Sequence, residues 1–182
     1  LNGTSGTNQV FTVNVTGAND APIFTSSAVT LSYTDTTAND TFSSSTGTLS
    51  ATDAEGLAVT YGISGVTATS GTSTRPGFYG TLALTTAGAY TYTPNNLNIL
   101  SAGSYTETIT LTSSNNGTSG TNQVFTVNVT GANDAPTFTS SAVTLSYTDT
   151  TANDTFSSST GTLSATDAEG LAVTYGISGV TA

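Results

Sequence analysis

The chain has 182 residues and carries 11 acidic side chains against one cation, Arg75, giving a net charge of −10. That balance excludes nucleic acid and anionic membrane as partners, since both need Lys and Arg to offset phosphate. Cys, His, Met and Trp are absent, so no disulfide can staple the fold, and no run approaches the roughly 18 apolar residues of a membrane span. Apolar and polar residues alternate with period two, and no segment shows a helical period. In chain order, Phe11, Val13 and Val15 share one face of a strand, and Val29, Leu31 and Tyr33 share one face of the next. A short strand is predicted around Thr48–Ala51, and Leu57, Val59, Tyr61 and Ile63 alternate along another. Leu82 and Leu84 mark a strand before the turn Thr85–Gly88, and Tyr90 and Tyr92 mark one after it. Tyr105, Ile109 and Leu111 follow, and then Phe125, Val127 and Val129. Outward positions are often Thr, whose branched Cβ favours extended backbone.

Residues 2–68 return at 116–182, a shift of 114 residues, and the 67 aligned positions differ once, Ile23 against Thr137. A period of that length suits an independently folding domain rather than a solenoid repeat. The natural boundary is Gly17-Ala18-Asn19-Asp20-Ala21-Pro22, repeated at Gly131–Pro136. Each proline restricts the residue before it and cannot donate to a ladder, as an extended linker requires. Residues 1–17 are therefore expected to be the last strand of an upstream repeat and 18–131 one complete unit. Residues 132–182 are expected to hold the first strands of the next. Seven short strands with Gly-, Ser- and Asn-rich turns in about 110 residues predict an all-β, Greek-key, Ig-like sandwich of antiparallel strands. The faces Leu57/Val59/Tyr61/Ile63 and Leu82/Leu84/Tyr90/Tyr92 are expected in its core.

Two stretches resemble a known family. Gly77-Phe78-Tyr79-Gly80-Thr81-Leu82-Ala83-Leu84, followed by Gly88-Ala89-Tyr90-Thr91-Tyr92-Thr93-Pro94, is similar to the core of VCBS repeats. Val13–Pro22 is similar to the segment that closes those repeats. The resemblance implies a cadherin-like or bacterial Ig-like module of a large secreted or cell-surface adhesin, in which calcium-dependent repeats act as spacers. Asn19–Phe24 also resembles a cadherin linker, and Ala51-Thr52-Asp53-Ala54-Glu55-Gly56 resembles the cadherin loop that faces it. In a sandwich of this kind the linker and that loop share one end. Asn19, Asp20, Asp53 and Glu55 can then meet at one junction, and Asn133, Asp134, Asp167 and Glu169 at the next.

Ca²⁺ takes six to eight oxygens, which carboxylates, Asn and backbone carbonyls supply. The chain departs from the cadherin pattern at Gly17, where an acid is usual, and at Leu97–Leu100, so one ion per junction or weak binding is expected. Glu107 is a further candidate, at a strand start where it could approach the following linker or simply reach solvent. Asp35 and Asp40 lie in a loop at that same end. Asn-Asp and Asp-Ala-Glu-Gly are also ordinary turn chemistry, because Asx side chains bond their own backbone.

Catalysis has little to work with: many hydroxyls, no His, Cys or Lys, and acids placed in turns. The sequence therefore reads as a non-enzymatic, extracellular spacer whose partners are neighbouring repeats, or other copies joined by strand addition or lateral packing. The alternative is a recognition domain whose loops bind a glycan or a partner protein.

Overall fold

The computed structural model describes residues 3, 6–37, 41–97, 100–152 and 155–179. Among these residues there is no helix. In chain order come β1 (Ile23–Phe24), β2 (Val29–Thr34), β3 (Ser45–Thr48), β4 (Ala51–Thr52) and β5 (Thr60–Ile63). Next are β6 (Thr72–Pro76), β7 (Gly80–Thr85), β8 (Ala89–Pro94), the long β9 (Gly103–Asn115), β10 (Thr118–Ser119) and β11 (Gln123–Gly131). β12 (Thr137–Phe138) and β13 (Ala165–Thr166) complete the described strands.

Two sheets form an Ig-like sandwich. One has the antiparallel order β3-β8-β7-β6. The other runs β2-β11-β9-β5, with β10 folded back on the end of β9. Alternation decides which side chains turn inward. Leu82, Leu84 and Tyr92 come from the first sheet, and Ile63, Ile109, Leu111, Phe125, Val127 and Val129 from the second, all buried. The rings of Tyr90 and Tyr92 reach Phe125 across the gap, with centroids 5.4 and 5.9 Å apart. Burial of each large side chain contributes about 1.5–3 kcal/mol. The small β1–β4 ribbon closes the side where the chain comes in.

Four local expectations are corrected. Residues 6–22, with Phe11, Val13 and Val15, form no strand, nor do 143–148 or 171–177, because no strand lies beside them to complete a ladder, and most of their apolar side chains are exposed. β2 runs parallel to β11, in the register Phe125↔Val29 to Thr130↔Thr34, whereas every strand was expected antiparallel. The chain enters at one end and leaves at the other, so its first long strand and its last one point the same way. Leu57 is 41% exposed rather than in the core. Its backbone N–H is taken by Asp53 Oδ1 at 2.9 Å, which holds it in a turn, and β5 starts only at Thr60. β6 was not anticipated, because Thr-Ser-Thr-Arg-Pro offers no apolar alternation. Its buried Ser73 sits opposite Leu84.

Candidate functional site

The incoming linker is seated by backbone contacts. Pro22 is buried, and its carbonyl accepts from the Thr121 N–H at 3.2 Å. A Cβ on Gly120 would lie 2.2 Å from that carbonyl, so only glycine allows the approach. Just before it, Asn116 and Gly117 both have positive φ, 38° and 84°, as a two-residue Asn-Gly hairpin needs. This hairpin ends β9 at Asn115 and places that residue beneath the linker.

Asn115 joins the two halves of the site. It is 2% exposed, accepts from Asn19 Nδ2 at 3.0 Å, and donates its own amide to Asp53 Oδ2. Asp53 Oδ1 accepts from the backbone N–H groups of Glu55 (3.1 Å) and Leu57 (2.9 Å), an Asx-type turn closed by Gly56 at φ +72°. Glu55 Oε2 then accepts from the Asp20 N–H at 3.0 Å. The structure thus brings Asn19, Asp20, Asp53 and Glu55 together, with Asn115 as a member that sequence reading missed. Asn115-Asn116-Gly117 reads only as a turn, and nothing local shows that the first Asn reaches back to a loop 62 positions earlier.

The following linker repeats the seat. Asp134 N–H donates to Glu169 Oε2 at 3.3 Å, and Leu171 N–H to Asp167 Oδ1 at 2.9 Å. Asn133 Nδ2 donates to the Asp134 carbonyl at 3.0 Å, as Asn19 does to the Asp20 carbonyl at 3.1 Å. The outgoing end of the sandwich adds Asp35, which is 2% exposed. Its N–H donates to the Thr130 carbonyl at 2.8 Å, and its Oδ2 accepts from the Ala132 N–H at 3.3 Å. Thr37, two residues on, lines a cleft of about 350 Å³ together with Asp134, Thr137, Thr166 and Asp167.

Glu107 is held away from both linkers. Its carboxylate accepts from the N–H groups of Phe78 and Tyr79, each at 3.3 Å, and fills the space beside Gly77, where a Cβ would lie 2.2 Å from it. It braces the β6–β7 turn. Asp40 lies outside the described residues.

The donor set is of the kind a hard divalent cation takes, carboxylate and amide oxygens. Asn19 Oδ1, Asp35 Oδ1 and Glu169 Oε1 are buried without a hydrogen-bond partner, a state that costs free energy unless something satisfies it. Among the described residues, however, no three acidic groups converge into a ready-made metal cage. The oxygens fit a cation in chemistry and would have to draw together to hold one. No described helix is long and apolar enough to cross a membrane.

No protein-family model matches this chain, and no curated protein matches it. Among solved structures it is similar to "Sidekick-1 immunoglobulin domains 1-5", at 18% identity and a TM-score of 0.35, over 69% of this chain and 22% of that one. It is also similar to "Chimeric titin Z1Z2 functionalized with a KLER exogenous peptide from decorin", at 13% identity and a TM-score of 0.31, over 64% of this chain and 99% of that one. The Ig-like assignment itself rests on strand order and pairing.

Proposed function

We propose that the chain is a non-enzymatic spacer from a long extracellular or cell-surface protein of the kind VCBS repeats build, its linkers stiffened by calcium. The observation that carries this reading is the repeated seat, Asp20 on Glu55 and Asp134 on Glu169. A linker fixed the same way in each copy makes every repeat add the same step. The 13 residues of β9 set that step at about 40 Å, from ~3.3 Å per residue. Copy number then sets reach, which suits a chain that duplicates itself so closely. Asn19, Asp20, Asp53 and Glu55 would hold a cation at one linker; Asn133, Asp134, Asp167 and Glu169, with Asp35, at the next.

Carboxylates drawn together at a linker would repel without a cation, so calcium should raise the melting temperature and stiffen the chain, read as a change in hydrodynamic radius. Asp53→Ala and Asp20→Ala should each remove most of the melting gain, and Glu107→Ala should leave it in place. Identical melting curves in calcium and in chelator would reduce these acids to turn residues and leave a spacer with no metal.

A second reading, recognition through loops, is favoured by Phe78, which is 87% exposed on the β6–β7 turn beside Arg75 and Pro76. A glycan array comparing the chain with its Phe78→Ala variant tests it. Equal signal from both would remove the reading.

A further inference from the structure

Asn115 and Asn116 stand side by side at the end of β9 and are held in opposite ways. Asn115 is buried, and its carboxamide is engaged by Asn19 and Asp53. Asn116 is exposed, and its carboxamide makes no hydrogen bond among the described residues. Gly117 follows, exposed as well, and its N–H has no acceptor in the turn. A Cβ built on Gly117 would meet nothing within 4 Å, so the nitrogen beside it is unshielded. Apart from Asn2, no other asparagine of the chain precedes a glycine. Any other following residue would set its side chain against closure of a ring between the two.

We propose that Asn116 deamidates spontaneously by closing on the Gly117 nitrogen, and that the isoaspartate left behind unlocks the linker seat. The Gly117 nitrogen gives up its proton and bonds to Asn116 Cγ. The Cγ–Nδ2 bond breaks, and the amide nitrogen leaves with that proton as ammonia. Water then opens the succinimide, at the side-chain carbonyl to give aspartate or at the main-chain carbonyl to give isoaspartate. No oxidant, metal or enzyme enters the balance.

The hairpin turns this local change into a change at the linker. Isoaspartate carries the main chain through Cβ and Cγ, which lengthens a two-residue loop that closes only as a tight turn. β10 has two pairs with β9, Thr118↔Asn115 and Ser119↔Ser114. Beyond them the Gly120 N–H donates to the Ser113 carbonyl at 2.8 Å, and the Thr121 N–H to that of Pro22 at 3.2 Å. A turn that no longer closes therefore loosens Asn115 on one side and the Pro22 anchor on the other.

Ageing the full chain at mildly alkaline pH tests this, because the attacking nitrogen must lose its proton. Fragmentation mass spectrometry assigns each product, since Asn2-Gly3 repeats the dipeptide. Asn116 should turn to the acid at least tenfold faster than Asn115, Asn128 and Asn133, with isoaspartate as the main product. The aged chain should melt lower than the fresh one and exchange its Thr121 N–H at least tenfold faster. Asn116→Gly keeps a dipeptide that the turn accepts and has no carboxamide to react, so ageing should leave its melting and exchange where they began. Fresh Asn116→Asp carries the new charge without the longer backbone, and should keep Thr121 protected. An Asn116 that outlasts the other asparagines overturns the proposal, as does isoaspartate at Asn116 with Thr121 exchange unchanged. An aged Asn116→Gly or a fresh Asn116→Asp that loosens as the aged wild type does also overturns it.

Discussion

Asn115 shows how one amide can tie a linker to a loop. Both faces of its carboxamide are used, one on Asn19 and one on Asp53, and burial keeps water from replacing either. Asn115→Ala should cost about 1–3 kcal/mol, the usual penalty for leaving buried polar groups unmatched, read as a shift in urea midpoint. Asn116→Ala, on the exposed side of the same turn, should disturb only the left-handed backbone there. Tyr92 is the opposite case, a buried hydroxyl with no hydrogen-bond partner among the described residues. Burial first, then the nearby charges of Glu107 and Tyr33, push its phenol well above its ordinary 10. The fold therefore favours the neutral phenol. Its stabilising share is complete below about pH 10, the unfolded value, and declines as pH rises above that. Tyr92→Phe should leave stability at pH 7 equal or higher, and should flatten the alkaline loss expected in urea midpoints between pH 10 and 11. A wild-type and variant curve that fall together would show that Tyr92 is not the group responsible.

At the scale of elements, the strands of 18–131 with an apolar face were legible and the polar ones were not. Phe11, Val13 and Val15 keep the alternation and form no strand, because a pattern shows a face and not the neighbour that a ladder needs. Leu82, Leu84, Ile109, Leu111, Phe125 and Val127 alternate, and all are buried. Alternation carries that information because successive side chains of a strand face opposite sides. Leu57 kept the alternation and still lies outside the core, because a hydrogen bond from its backbone to Asp53 wins locally over a ladder bond. β6 has no apolar face and gains its place from pairing with β7. For the junction, the acidic residues and their grouping were legible from linker and loop. Asn115 and Gly120 were not, since their roles depend on a contact across the fold. Gly120→Ala would drive a methyl into the Pro22 carbonyl and should cost about 1–3 kcal/mol, as overpacking does. Hydrogen exchange should then rise at Thr121, whose N–H bonds that carbonyl. Unchanged protection there would mean that the linker has another anchor.

For the molecule as a whole, the parallel pairing of β2 with β11 decides how the sandwich meets tension. A pull along the chain draws the start of β2 toward one end and the finish of β11 toward the other. The two strands run the same way along six registered pairs, so the pull slides one past the other and loads the ladder bonds together rather than one by one. Resistance of this kind is set by the barrier to unfolding and not by equilibrium stability. Leu31→Ala, in the sheared ladder, should lower the force at which a single molecule opens more than Leu84→Ala does. Leu84 is fully buried, and its truncation should cost more stability at equilibrium, about 2–5 kcal/mol. The reverse order of forces would place the mechanical barrier elsewhere. A module wired in this way yields late and all at once, which is how a tether holds its length under drag until the moment it gives.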